Sequence, residues 1–220
     1  TKEYLDNFPV YQVRVEFTEA DDTMAYICRT QYPDNPKLVI SNDKDLYQLV
    51  DGKTELWRPA VKKALGVQDL LDETGVHPKN WIILKAIRGD KSDNVPGVKG
   101  LGEKTIIKLL PILKEEHPCS LDEIYSLCKS EIEAENKLSK KYQLIIDNCD
   151  TIDRNYKLMD LRDSHISLKS MKMVEDQLKL QQPKFSPFNL RVMFIKDGAR
   201  DQVENFDWWT RSFMPLNYKE

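Results

Sequence analysis

Apolar positions along this chain change their period about a third of the way in. Early on, short apolar runs are separated by helically spaced ones. "PKLVIS" predicts a strand at Leu38–Ile40 and "TELWRP" a second. Between them "NDKDLYQLV" turns at once into a helix. Ahead of them, "VEFTEADDTMAYICRTQYP" reads as a strand end followed by a helix. Thr18 is its N-cap, Asp21 an acidic variant of the capping box, and Met24, Ile27 and Cys28 share one face. Strands alternating with helices predict an α/β layer with a parallel sheet. After about Gly66 the strand period fades. "VQDLLDETG", "PKNWIILKAIRG" with Pro78 in its first turn, "LGEKTIIKLLPILKEE" with a break at Pro111, "SLDEIYSLCKS" and "ENKLSKKYQLIIDN" all read as helices. Ser120 and Glu123 form a capping box.

The expected organisation is a partial α/β region over 1–65, a helical region over 66–160 and a helical tail over 161–220. Two strands make a poor sheet, because stable sheets normally need three or more. The α/β part therefore reads as lacking its first strands. In the tail, "NFDWWTRSFM" places Trp208, Trp209 and Phe213 either in a core or on a docking surface.

Composition narrows the classes. The chain has 220 residues, 40% apolar and 31% charged, which suits a soluble globular protein. No apolar run approaches the roughly 20 residues of a membrane helix, and a cytoplasmic setting is expected. Cys28, Cys119, Cys128 and Cys149 form no close pair, and His77, His117 and His165 are scattered, so neither zinc nor disulfides are expected. A net charge of −3 excludes a uniformly basic DNA binder, although an acidic pocket and a basic face could cancel.

Three acidic clusters stand at predicted element ends: Glu19, Asp21 and Asp22 in "EADD", Asp43 and Asp45 in "NDKD", and Asp90 and Asp93 in "GDKSD". Each alone fits a helix start or a turn. Asp43, however, follows the carboxyl end of a strand, where open α/β sheets bind ligands. Crowded carboxylates do not all ionise without cations. An all-oxygen set without His or Cys points to Mg²⁺ or Mn²⁺ acting on a phosphate ester. Spacing leaves open whether the clusters converge.

The stretch "PGVKGLGEKT" comes within one residue of a P-loop, but Glu103 displaces the lysine and "DKSDNVP" is too polar for the preceding strand. It reads better as a hairpin between helices. Gly97, Gly100 and Gly102 let the backbone approach a ligand, the amides of Gly100 and Gly102 point outward at a helix N-terminus, and Lys99, Lys104 and Lys108 add charge. That is a sequence-independent grip on a nucleic-acid backbone, with a plain helix turn as the structural alternative.

In this order, "TEADD", "SNDKDLYQL" and "GDKSDNVPGVKGLGEKT" resemble the flap endonuclease and 5′-3′ exonuclease family, which includes phage nucleases and the nuclease domain of bacterial DNA polymerase I. The resemblance is strong from Val13 to Leu110, and the helical tail looks more like the phage members. It implies a PIN-like α/β fold, a helix-three-turn-helix motif at about 81–111, and two divalent ions cutting DNA near 5′ ends and flap junctions. It implies Glu19 and Asp21 at the first ion with Asp22 beside them, and Asp43, Asp45 and Asp93 at the second with Asp90 behind. Asp21, Asp43, Asp45 and Asp93 are then the catalytic set. The segment from Gly97 through Thr105 to Lys108 is the duplex grip, whose loop carbonyls often hold K⁺.

Family members also begin with a strand carrying a metal-binding Asp and contain a basic, aromatic arch. Neither is visible here, so the chain matches the C-terminal two-thirds of a phage nuclease. The expected partners are DNA with a 5′ flap or 5′ end, and an N-terminal nuclease half that is a missing segment or a separate chain. The alternatives are a non-catalytic DNA-junction-binding subunit and, more distantly, a PIN-type RNA nuclease.

Overall fold

The computed structural model describes residues 2–135, 137–162, 166–181 and 183–217, so His165 lies outside the described residues. The chain divides into two compact units, Glu19–Ile166 and a second made of 1–18 with 167–220.

The larger unit begins with helix α2 (Ala20–Tyr26), which runs into a π-helical turn at Ile27–Gln31. Strands β1 (Lys37–Ile40), β2 (Thr54–Arg58) and β3 (Lys63–Leu65) then form one sheet in that order. β1 and β2 pair in parallel, with Val39 opposite Leu56, and β2 and β3 pair antiparallel. The parallel pair follows from the strand–helix–strand pattern, the helix being a short 3₁₀ segment at Asp45–Leu49. β3 was not visible in the sequence, because Lys63–Leu65 is too short to show a period. Residues 13–18 form no strand. Glu19, not Thr18, is the N-cap of α2, and the Thr18 hydroxyl instead bonds Ser170 at 3.0 Å.

Val39, Leu56 and Leu65 turn one sheet face into the core. Leu38 and Ile40, on the opposite face of β1, are 52% and 66% exposed. Helices α3 (Val67–Thr74), α4 (Trp81–Arg88), α5 (Glu103–Leu109), α6 (Leu121–Glu133), α7 (Ser139–Asp147) and α8 (Cys149–Met159) complete the unit. The break expected at Pro111 is present, since α5 ends at Leu109 and a 3₁₀ turn follows from Pro111. The Ser120–Glu123 capping box is present as well, and its bonds, together with one from His117, bring the Glu123 carboxyl down to about 2.

α4 is the axis of the core. Seven of its eight residues are buried, among them Ile82, Ile83, Leu84 and Ile87 at 0% exposure. Fully burying each such side chain contributes about 1.5–3 kcal/mol. At its C-terminus Gly89 takes a positive φ of 73°, and β4 (Gly89–Asp90) pairs antiparallel with β5 (Val95–Pro96). The turn between them has Asn94 at φ 55°. Gly97 then lies flat on the end of α4, where an added Cβ would overlap the Arg88 carbonyl. Asn155 of α8 is fully buried and donates to Ala86 O at 3.0 Å and Pro96 O at 2.8 Å, which ties both limbs of the hairpin together.

The smaller unit contains α1 (Lys2–Leu5), α9 (Leu168–Leu180), α10 (Pro187–Lys196) and α11 (Phe206–Arg211). Its centre is aromatic. Trp209 lies 5.8 Å from Phe8, 5.7 Å from Phe206 and 5.3 Å from Phe213, ring centre to centre. Trp209 and Phe213 are thus packing residues, whereas Trp208 is 68% exposed.

Only backbone movement could admit a side chain at Gly97. Gly97→Ala is expected to cost about 3 kcal/mol or more, lowering Tm by at least about 6 °C. Gly52→Ala meets nothing within 4 Å and should leave the melting curve unchanged.

Candidate functional site

The three acidic clusters converge. Glu19, Asp21 and Asp22 at the start of α2, Asp43 and Asp45 after β1, and Asp93 in the β4–β5 turn line one cavity of about 650 Å³. Ser41 completes its polar wall, and Leu158, Met159 and Leu161 form an apolar one. β1 delivers Asp43 at the carboxyl end of a parallel pair, the expected place for a ligand in such a sheet.

Several carboxylates double as local structure. Asp43 Oδ1 accepts from the Asp45 amide at 2.9 Å, and Asp21 Oδ1 from the Asp22 amide at 2.9 Å. Glu19 makes no side-chain cap bond. Its carboxyl pKa is raised, chiefly by the charge of Asp21, then by burial and by Asp22 and Asp93. Charge from the third cluster therefore reaches the first.

Asp90 lies behind this wall. Oxygens of Asp45, Asp90 and Asp93 all fall within 4.8 Å of one another. The Lys85 ammonium, fully buried on α4, bonds Asp45 and lies 2.7 Å from Asp90. Asp90 also accepts from the Ser92 amide at 2.8 Å and from its hydroxyl. Burial opposes ionisation of Asp90, but Lys85 and Ser92 outweigh it and hold its carboxyl well below the usual range. Asp45 goes the other way. Burial pushes its pKa up, against the pull of Lys85, and the charges of Asp43 and Asp90 add to the rise. The buried ammonium thus bridges the two carboxylates.

The hairpin residues lie beyond this pocket. Lys99, Gly100, Gly102, Lys104 and Lys108 are exposed and Thr105 is half-buried. Gly100 has a φ of 90°, whereas Gly102 caps α5 with ordinary backbone geometry. Gly97 is half-buried, and its missing side chain serves packing against Arg88. Glu103, the residue that spoils the P-loop pattern, pairs with Arg88 at 2.6 Å and braces α4 to α5.

Sequence reasoning missed Lys85, Ser92, Asn155 and Gln48. Gln48 is buried, donates to Met159 O at 3.0 Å and accepts from the Leu161 amide at 3.2 Å, fixing the apolar wall. Lys85 had a signal: it is the lone charge inside the apolar run "WIILKAI".

An α/β layer that gathers acids at its strand ends, followed by a helix–hairpin–helix, defines the class as a 5′ nuclease fold. Comparison with known proteins agrees. The family model for the 5′-3′ exonuclease, C-terminal SAM fold, matches residues 76–185, and the chain belongs to this family. DNA polymerase I of Pseudomonas aeruginosa is 41% identical over 97 residues, or 44% of this chain and 11% of the polymerase. The thermostable DNA polymerase I of Thermus thermophilus is 36% identical over 110 residues, or 50% of this chain and 13% of that protein. Among solved structures, a bacteriophage T5 flap endonuclease in a complex with DNA and metal ions matches with TM-score 0.59 and 26% identity. It covers 74% of this chain and 59% of that one. A zinc-bound T5 5′-exonuclease matches with TM-score 0.59 and 24% identity over 74% of this chain and 60% of that one, a likeness of fold. The chain therefore spans a small part of the polymerases and under two-thirds of these two nucleases.

Removing the buried cation should expose its role. Lys85→Met leaves Asp45 and Asp90 facing each other and is expected to cost about 3–5 kcal/mol in urea denaturation. Adding Asp45→Asn should recover part of the loss, giving a non-additive double-mutant cycle.

Proposed function

We propose that this chain holds the metals and grips the duplex in a divalent-metal-dependent, structure-selective 5′ nuclease that hydrolyses DNA phosphodiester bonds in replication or repair. The observation that carries this reading is the convergence of three acidic clusters, drawn from residues 19–93, on one cavity beside the hairpin.

The donors suit hard divalent ions. All are carboxylates, and among the described residues none of Glu19, Asp21, Asp43 and Asp93 forms an ion pair. Mg²⁺ or Mn²⁺ fits such a set. Glu19 and Asp21 would hold one ion with Asp22 beside them, and Asp43, Asp45 and Asp93 the second. Asp90, whose two oxygens are already bonded, would orient Lys85 and the β4–β5 turn. When bound, such ions neutralise phosphate oxygens and activate the attacking water. The protein's own share is positioning. α2 and β1 set the carboxylates, Leu158, Met159 and Leu161 limit water on one side, and Lys99, Lys104 and Lys108 hold the duplex backbone. K⁺ at the hairpin belongs to the same reading, since the Lys99 and Gly100 carbonyls accept no backbone hydrogen bond among the described residues.

Further polypeptide completes this nuclease. Parallel sheets are normally covered on both faces. Here Leu38 and Ile40 stand exposed on β1, whose outer edge has no partner strand among the described residues. We place an additional N-terminal nuclease segment there, and expect the chain by itself to cut flaps weakly or not at all. Robust cleavage by the isolated chain in Mg²⁺ would sink that part of the reading.

Calorimetry with Mn²⁺ tests the metal site directly. The unaltered chain should take up the ion, and Asp43→Asn or Asp93→Asn should weaken uptake by about tenfold or more. In the completed nuclease the same changes should lower flap cleavage by about 100-fold or more while duplex binding persists. A chain that binds duplex but takes up no Mn²⁺ would instead be a non-catalytic junction binder.

A further inference from the structure

We propose that Leu158, at the end of α8, is a positioning residue that packs against the base of the nucleotide whose phosphate enters the acidic cavity. The cavity would then take a nucleoside 5′-monophosphate unit, not a bare phosphate. The inference deepens the nuclease reading and rests on its metal site.

The cavity combines two chemistries. Carboxylates of Glu19, Asp21, Asp43 and Asp93 line it together with Leu158, Met159 and Leu161. Ions and phosphate oxygens use only the carboxylates. An apolar wall suits the uncharged part of a nucleotide, because small-molecule sites pair apolar lining with a few placed polar groups. At about 650 Å³ the cavity falls within the range of such sites.

Met159 and Leu161 belong to the core, at 9% and 5% exposure. Leu158 is 63% exposed while lining the same cavity. An exposed leucine elsewhere on a surface would need no explanation. This one is held from both directions. One turn earlier on α8, the buried Asn155 bonds the Ala86 and Pro96 carbonyls. Just after it, Gln48 bonds the Met159 carbonyl and the Leu161 amide. Gln48 shares the 3₁₀ segment of Asp45, and Pro96 the hairpin of Asp93. Leu158 is thereby fixed relative to two of the three acidic clusters. Such a contact rewards any base and reads none.

The test is calorimetry on the chain in Mn²⁺ with two probes. One is deoxyadenosine 5′-monophosphate, and the other is 2-deoxyribose 5-phosphate, which has no base. The unaltered chain should bind the nucleotide about tenfold more tightly than the sugar phosphate. Leu158→Ser should shrink that ratio to about two or less and leave sugar phosphate binding unchanged. Leu158→Met should keep the original ratio. Circular dichroism checks that each variant folds. Equal binding of the two probes by the unaltered chain, or a ratio that Leu158→Ser leaves intact, would overturn the apolar contact. The metal site would still stand if both probes need Mn²⁺. If neither probe shows Mn²⁺-dependent binding, the metal reading fails and the inference falls with it. The nucleotide preference should persist in the completed nuclease. Its loss there would mean that added polypeptide covers Leu158, which also overturns the proposal.

Discussion

A single buried ammonium organises this site. Lys85 is fully enclosed on α4, between the carboxylates of Asp45 and Asp90. Enclosing a charge costs several kcal/mol, and only well-placed partners offset it. Asp45 follows β1 and Asp90 follows α4, so the bond forces strand end and helix end to meet. Asp93, three residues beyond Asp90, is carried to the cavity by the same link. Both carboxylates bond the one cation, and Asp45 also lines the pocket in front of it.

From that point the backbone leads directly to the hairpin. Gly97 must be bare because the end of α4 lies against it, and Asn155 bonds both limbs. Arg88 then reaches Glu103 at the start of α5. The acids and the lysines are therefore coupled through a few rigid contacts within some 20 residues of sequence. On the proposed nuclease reading such stiffness would serve function, since misplacing a phosphate by about 1 Å can cost on the order of 100-fold in rate.

Much of this was legible in the sequence because it rests on local chemistry. The Ser120–Glu123 box, the break before Pro111 and the α4–hairpin–α5 order are short-range consequences of capping, proline and glycine. The acidic clusters were legible as clusters, but their meeting was not, since Lys85, Gln48 and Asn155 make it through contacts 40 to 113 positions apart. The strand expected before Thr18 failed because no strand pairs with that segment among the described residues; side chains of Gln177 and Gln181 bond the Arg14 and Gln12 backbone instead, and β strands need a partner as much as a propensity. β3 was missed for the opposite reason: three residues with little signal become a strand because Trp57 and Leu56 are there to pair with them.

Net charge illustrates why averages mislead here. A value of −3 describes neither surface that matters. On one side of α4 carboxylates crowd a cavity and raise the Glu19 pKa. On α5 and α7 three lysines surround a hollow, and none of them forms an ion pair among the described residues. A bare acidic pocket repels a phosphodiester, whereas a basic hairpin attracts it wherever it lies along the duplex. Cations in the pocket reverse the first effect without altering the second. With metals in place the field would be positive along the path from hairpin to cavity. Without them the duplex could be held but its scissile phosphate would be turned away. On this reading the acids do more than ligate: they make entry of the phosphate conditional on the ions that act on it.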